Sequence, residues 1–210
     1  MWTEAFLEYL TLERNYSLRT VEEYRDDLNA FESYYKKVDS TLSWETMDGD
    51  VVRDWMVLMM EAGRTATTVN RRLSALRTFY RYLLRRDWIK VDPVRNIQGP
   101  KKKKPLPVFL KESEMNRLLD GDFFGNDFLG KRDKLIVNTF YVTGIRLSEL
   151  TSLNNQDVDM WGGVIRVTGK RNKQRIVPFG DELEALLTAY LDEKSSLGLE
   201  DGGAMFVDEK

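Results

Sequence analysis

Four of the five prolines in this 210-residue chain fall between Val91 and Pro107, interleaved with Gly99 and the unbroken lysine run Lys101 to Lys104. Proline lacks the N–H that helix and sheet ladders need, and adjacent like charges repel, so this stretch is not expected to fold by itself. It reads as a linker that divides the chain. The expected organisation is a helical domain over residues 1–97, a basic linker over 98–105 and a second domain over 106–210. With 42% hydrophobic residues, the chain can supply one substantial core or two modest ones.

The first part reads as successive helices. Trp2, Phe6, Tyr9 and Leu10 share one side of a first helix, with Thr3 as its candidate cap. Val21, Tyr24, Leu28, Phe31 and Tyr35 recur at steps of 3 and 4, and Ser17 or Thr20 can cap that helix, Thr20 with Glu23 fitting a capping box. A third helix begins near Asp48 or Asp50, buries Val52, Trp55 and Met59, and ends at Gly63. The fourth, from about Thr65 to Asp87, carries two stripes. Val69, Leu73, Leu76, Tyr80, Leu83 and Leu84 form an apolar face. Asn70, Ser74, Arg77, Arg81 and Arg85 form a polar, basic ridge on another, broadened by Arg71, Arg72 and Arg86.

Beyond the linker, short helices are expected near Glu112 to Leu119 and from Lys131 to Val142, the latter interrupted at Thr143-Gly144. Val164 to Val167 and Arg175 to Val177 read as a hairpin around Gly169 to Lys173. A last helix covers Asp181 to Glu193, and Ala204 to Val207 has the composition of a strand.

The net charge of −2 conceals a segregation. Met1 to Gly63 holds 6 Lys/Arg against 14 Asp/Glu, Arg64 to Lys104 holds 13 against 2, and Pro105 to Lys210 holds 13 against 18. A basic block inside a mildly acidic chain suits a polyanionic partner. Asp87 is the one acidic residue between Arg64 and Lys90, so the ridge has little to pair with locally; arginines on a helix can enter a major groove or clamp phosphates. The candidate nucleic-acid contacts are Asn70, Arg71, Arg72, Ser74, Arg77, Arg81, Lys101, Lys102, Lys103 and Lys104, against the plainer alternative of a solvated face and a solubilising linker. Cysteine and histidine are both absent, which excludes disulfides, thiol nucleophiles, thiolate metal sites and the commonest general base. No apolar run spans a bilayer, and a cytoplasmic location is expected.

Thr143-Gly144-Ile145-Arg146-Leu147-Ser148-Glu149-Leu150 is followed, 24 residues after its arginine, by Lys170. Taken alone, Arg146 and Glu149 could be a structural ion pair and Lys170 a solvated turn residue. In order along the chain, however, Ser17 to Phe31, Val69 to Arg77, Asn96 to Pro100, Arg132-Asp133, Thr143 to Leu150 and Lys170 to Pro178 together resemble the tyrosine recombinases, which include phage integrases and Xer recombinases. The resemblance covers essentially the whole chain. It implies a mainly α fold: a SAM-like orthogonal four-helix core-binding domain, then part of an α+β catalytic domain of the DNA breaking-rejoining type, the two closing around double-stranded DNA.

The resemblance further implies that Arg146 binds the scissile phosphate, that Lys170 protonates the leaving 5′-oxygen and that Glu149 supports them. The energy of the broken bond is kept in a 3′-phosphotyrosine, so no metal and no cofactor is expected. The family's His-x-x-Arg motif and tyrosine nucleophile find no counterpart in this sequence. The chain is therefore expected to stop short of them, as part of an enzyme that is tetrameric on DNA, with this portion monomeric in solution. The alternatives are a naturally shortened, noncatalytic DNA-binding module and a helical scaffold for an acidic protein partner.

Overall fold

The computed structural model describes residues 2–102, 106, 108–169, 172–199 and 202–208. Lys103, Lys104 and Lys170, three of the expected site residues, lie outside them. The chain divides into two compact units, residues 1–106 and 107–210. Among the described residues, no helix is long and apolar enough to cross a membrane.

The first unit is all helical: α1 (Trp2–Leu12), α2 (Leu18–Val38), α3 (Gly49–Glu61) and α4 (Ala66–Arg85). Oxygen-bearing side chains start three of them. Ser17 accepts from Thr20 N, Asp48 from Asp50 N and Val51 N, and Thr65 from Thr68 N, each supplying a partner to an otherwise orphan helix N–H. Thr3 does not cap α1; the helix already runs from Trp2, and Thr3 is buried within it. The box at α2 is likewise a Ser17–Thr20 pairing, with Glu23 left to a distant ion pair with Arg19.

The core joins faces of all four helices, with Phe6, Leu28, Phe31, Leu73, Leu76, Phe79 and Leu83 at 0–1% exposure. Trp44 lies edge-on to Phe79, their ring centres 4.8 Å apart. The chain after α4 continues to pack: Trp88 stacks on Trp2 at 5.7 Å, and Ile89, Val94 and Ile97 are buried. Val94 and Ile97 of the proline-containing segment thus belong to this core, although the segment's composition reads as linker.

The second unit comprises α5 (Glu112–Asp120), α6 (Phe128–Thr143), α7 (Leu147–Thr151), a 3-10 turn (Asn155–Asp157), a three-stranded antiparallel sheet of β1 (Val158–Asp159), β2 (Val164–Thr168) and β3 (Gln174–Pro178), and α8 (Asp181–Ser196). Leu135, Ile165, Val167, Leu187, Tyr190 and Met205 centre its core. Helix α6 starts earlier than its apolar pattern indicates because Asp127 caps it through Gly130 N at 2.9 Å. Ala204 makes only an isolated bridge to Asn154 where a strand is expected.

Candidate functional site

Helix α4 holds the basic ridge, and the structure gives most of its members partners inside the protein. Asn70 Nδ2 donates to Ala66 O at 2.7 Å and to Pro100 O at 2.8 Å. Ser74 returns its hydroxyl to Asn70 O. Arg77 donates to Ile97 O. Together Asn70 and Arg77 fasten the chain at 97–100 along α4. Gly99 makes this possible, because a Cβ there would lie 2.1 Å from Asn70 Oδ1.

Arg71 forms a two-pronged pair with Asp27 of α2, at 2.6 and 2.9 Å. Asp27 is buried, and burial pushes its carboxyl up from the ordinary value even though Arg71, then Arg72, pull it down. Arg72 lies over the Trp55 ring at 5.7 Å, with its Nε 3.5 Å from Asp27. The sequence finds almost no acid within the ridge; the fold brings Asp27 to it from another helix. Arg71 retains a half-exposed side chain, and a guanidinium has five N–H donors, so pairing with Asp27 does not exhaust it. Arg81 is exposed and forms no ion pair among the described residues. Lys101 and Lys102 are exposed.

In the second unit, Gly144 ends α6 in the left-handed conformation, φ 60°, a region that glycine enters without steric cost. The chain reverses there, and Arg146 becomes the N-cap of α7. Glu149, one turn on, is 2% exposed and accepts from Arg146 N at 2.7 Å and from Arg146 Nη1 at 2.8 Å. Its two oxygens also receive both Nη groups of Arg175, at 2.6 and 2.9 Å. Bonds from Arg175 above all, then from the Arg146 backbone, hold the Glu149 carboxyl at about 2.

Arg175 is the residue that the sequence reading passes over. It stands opposite Val167 in the β2–β3 register and shares the inner face with Val177, whereas Ile176 is 68% exposed. The period-2 alternation of β3 was the available signal, hidden by two adjacent apolar residues. Gly169, immediately before Lys170, donates to Lys173 O at 2.8 Å, and a Cβ on it would lie 2.9 Å from Glu149 Oε1. Two guanidiniums therefore meet on one buried carboxylate. The Arg146 side chain is 69% exposed, its guanidinium tethered to Glu149 through Nη1 while its other N–H groups remain open. Such a group can receive a phosphate through parallel N–H bonds.

Residues 3–87 match the phage integrase N-terminal SAM-like domain, and residues 108–210 match the phage integrase family. The tyrosine recombinase XerC of Azotobacter vinelandii (strain DJ / ATCC BAA-1303) is 35% identical over 204 residues, 97% of this chain and 67% of that protein. XerC of Pelotomaculum thermopropionicum (strain DSM 13744 / JCM 10971 / SI) is 40% identical over 192 residues, 90% of this chain and 62% of that protein. XerD of Oceanobacillus iheyensis is 34% identical over 190 residues, 90% and 63% respectively. The chain thus spans somewhat under two thirds of the length of the latter two relatives. Similar folds occur in the XerH site-specific recombinase bound to palindromic difH substrate, with TM-score 0.72 and 21% identity over 94% of this chain and 59% of that one. A lambda integrase dimer bound to a COC' core site gives TM-score 0.71 and 17% identity over 99% and 56%. With helical and catalytic-domain models matched in order across both units, and relatives at 34–40% identity across 90% of its length or more, this chain belongs to the tyrosine recombinase (phage integrase) family.

Proposed function

We propose that this chain is a DNA-holding part of a site-specific recombinase, in which Arg146 receives the scissile phosphate of a double-stranded DNA substrate. The observation that carries the reading is the arrangement at Glu149: a buried carboxylate clasped by Arg175, with Arg146 held beside it and its guanidinium facing outward. Cations fixed before substrate arrives need no reorganisation as negative charge builds on a phosphorane, which is where such groups lower a barrier most. Arg175 acts as a positioning residue, setting Glu149 and through it Arg146. In this reading Lys170 donates the proton to the leaving 5′-oxygen, consistent with its neighbour Gly169 passing against Glu149. The α4 ridge and the linker lysines hold the flanking duplex; relatives and fold neighbours named as recombinases or caught on their DNA sites point the same way.

Fluorescence anisotropy of labelled duplex DNA at rising salt tests this. Binding should fall linearly on a log–log scale with a slope of about −0.9 per phosphate neutralised. Arg81→Glu should weaken binding to all sequences, and Arg146→Ala should weaken it while leaving the fold intact. A flat titration at low ionic strength would overturn the reading.

A further inference from the structure

We propose that Arg14, Arg81 and Arg85 form a cradle for a single phosphate group, separate from the α4 positions already paired to Asp27 and to the 97–100 segment. The inference rests on the DNA reading above and extends it to a specific contact. The three arginines line one cavity of about 160 Å³ between the end of α1, the turn into α2 and the last turns of α4. Leu10 and Tyr82 are buried beneath it, and the Tyr9 and Tyr82 rings meet at 4.8 Å. No carboxylate lines it.

The distribution of counter-charges singles these three out. Asp27 takes Arg71 and approaches Arg72, Glu13 takes Arg86 at 2.9 Å, and Tyr82 lies under the Arg86 guanidinium. Among the described residues neither Arg14, Arg81 nor Arg85 pairs with a carboxylate; Arg14 has the phenols of Tyr16 and Tyr9 beside it instead. The turn that brings Arg14 to α4 is fixed. Glu13 N and Arg14 N donate to Tyr9 O, Tyr16 N donates to Leu10 O, and Asn15 takes φ 50°. Helix α2 begins at Leu18, two residues after Tyr16, with no acidic residue in its first turn. Three cations gathered in one concavity repel one another, and an oxyanion bonded by several guanidinium N–H groups relieves that repulsion. The volume suits one phosphate. A phosphodiester of the duplex lying along α4 is the occupant the charge pattern favours, inorganic phosphate being the other source of the same chemistry.

The test uses the whole chain with the double variant Arg14→Gln/Arg85→Gln, both exposed positions, checked for an unchanged circular dichroism spectrum and melting temperature. For duplex DNA, the magnitude of the log–log salt slope should fall by about 0.9, one phosphate, with weakening that is uniform across sequences. If the parent chain binds DNA and the variant has the same affinity and slope, the cradle is wrong while the DNA reading stands. If the parent chain fails to bind DNA, the DNA reading fails, and the cradle is judged by inorganic phosphate titrated into the unmodified chain while arginine Nε–H resonances are followed. Saturable shifts confined to Arg14, Arg81 and Arg85 would then support an anion site for free phosphate; no shifts would overturn it.

Discussion

Two buried carboxylates, Glu149 and Asp27, each accept two bonds from one arginine, and burial raises both, yet their net shifts run in opposite directions. Glu149 also receives the Arg146 backbone N–H, and together these bonds outweigh desolvation, holding it at about 2 against an ordinary 4.5. A carboxyl depressed in the folded state stabilises fully above the unfolded value and loses that contribution as pH falls from about 4.5 to about 2. Urea unfolding at a series of pH values should therefore show Glu149→Gln less stable than the parent near neutrality, with the gap narrowing through that window; a gap independent of pH would refute the assignment. At Asp27 desolvation wins and the carboxyl is raised, so its contribution is most unfavourable above the folded value and is relieved as pH falls through it. Asp27→Asn should therefore cost little. Arg71→Ala should cost about 3 kcal/mol, because it strands a buried charge with only Arg72 near it. Equal losses for the two variants in chemical denaturation would argue against this.

Among the elements, α4 has the most legible sequence, with its Thr65 cap, its apolar stripe and its ridge at steps of 3 and 4 all following from the period of a helix. What periodicity does not reveal is that Asn70 and Arg77 reach off the helix to Pro100 O and Ile97 O. Those bonds depend on chain 20 to 30 residues away in sequence, and on the missing side chain of Gly99. Gly99→Ala should push Asn70 aside, speeding amide exchange and proteolysis around 97–102 while α4 itself stays protected. Unchanged exchange would show that the suture does not restrain this segment. The two-residue β1 carries no pattern to read, and 203–208 is tied down by backbone bonds to 153–155 and, at its end, by Arg132 bonding Val207 O and Asp208 rather than by strand pairing.

At the scale of the molecule, each unit has its own core, one gathered from residues 6–97 and the other from 128–205. Leu76→Ala in the first and Leu187→Ala in the second should each cost about 3 kcal/mol, felt by hydrogen exchange in the mutated unit alone. Loss of protection in both units from either substitution would contradict independent cores. The sequence by itself determined the helices with strong 3.6-residue periodicity, the hairpin and the family, because these rest on local patterns and on motifs ordered along the chain. Only the tertiary structure decided how the charges are used. Asp27 quenches Arg71, Arg175 joins Arg146 on one carboxylate, and Arg14 lines one cavity with Arg81 and Arg85, each arrangement bringing together residues distant in sequence. The basic block between Arg64 and Lys104 thus holds arginines of different duty that composition counts alike, since charge can be read along a chain while its neutralisation is settled in space.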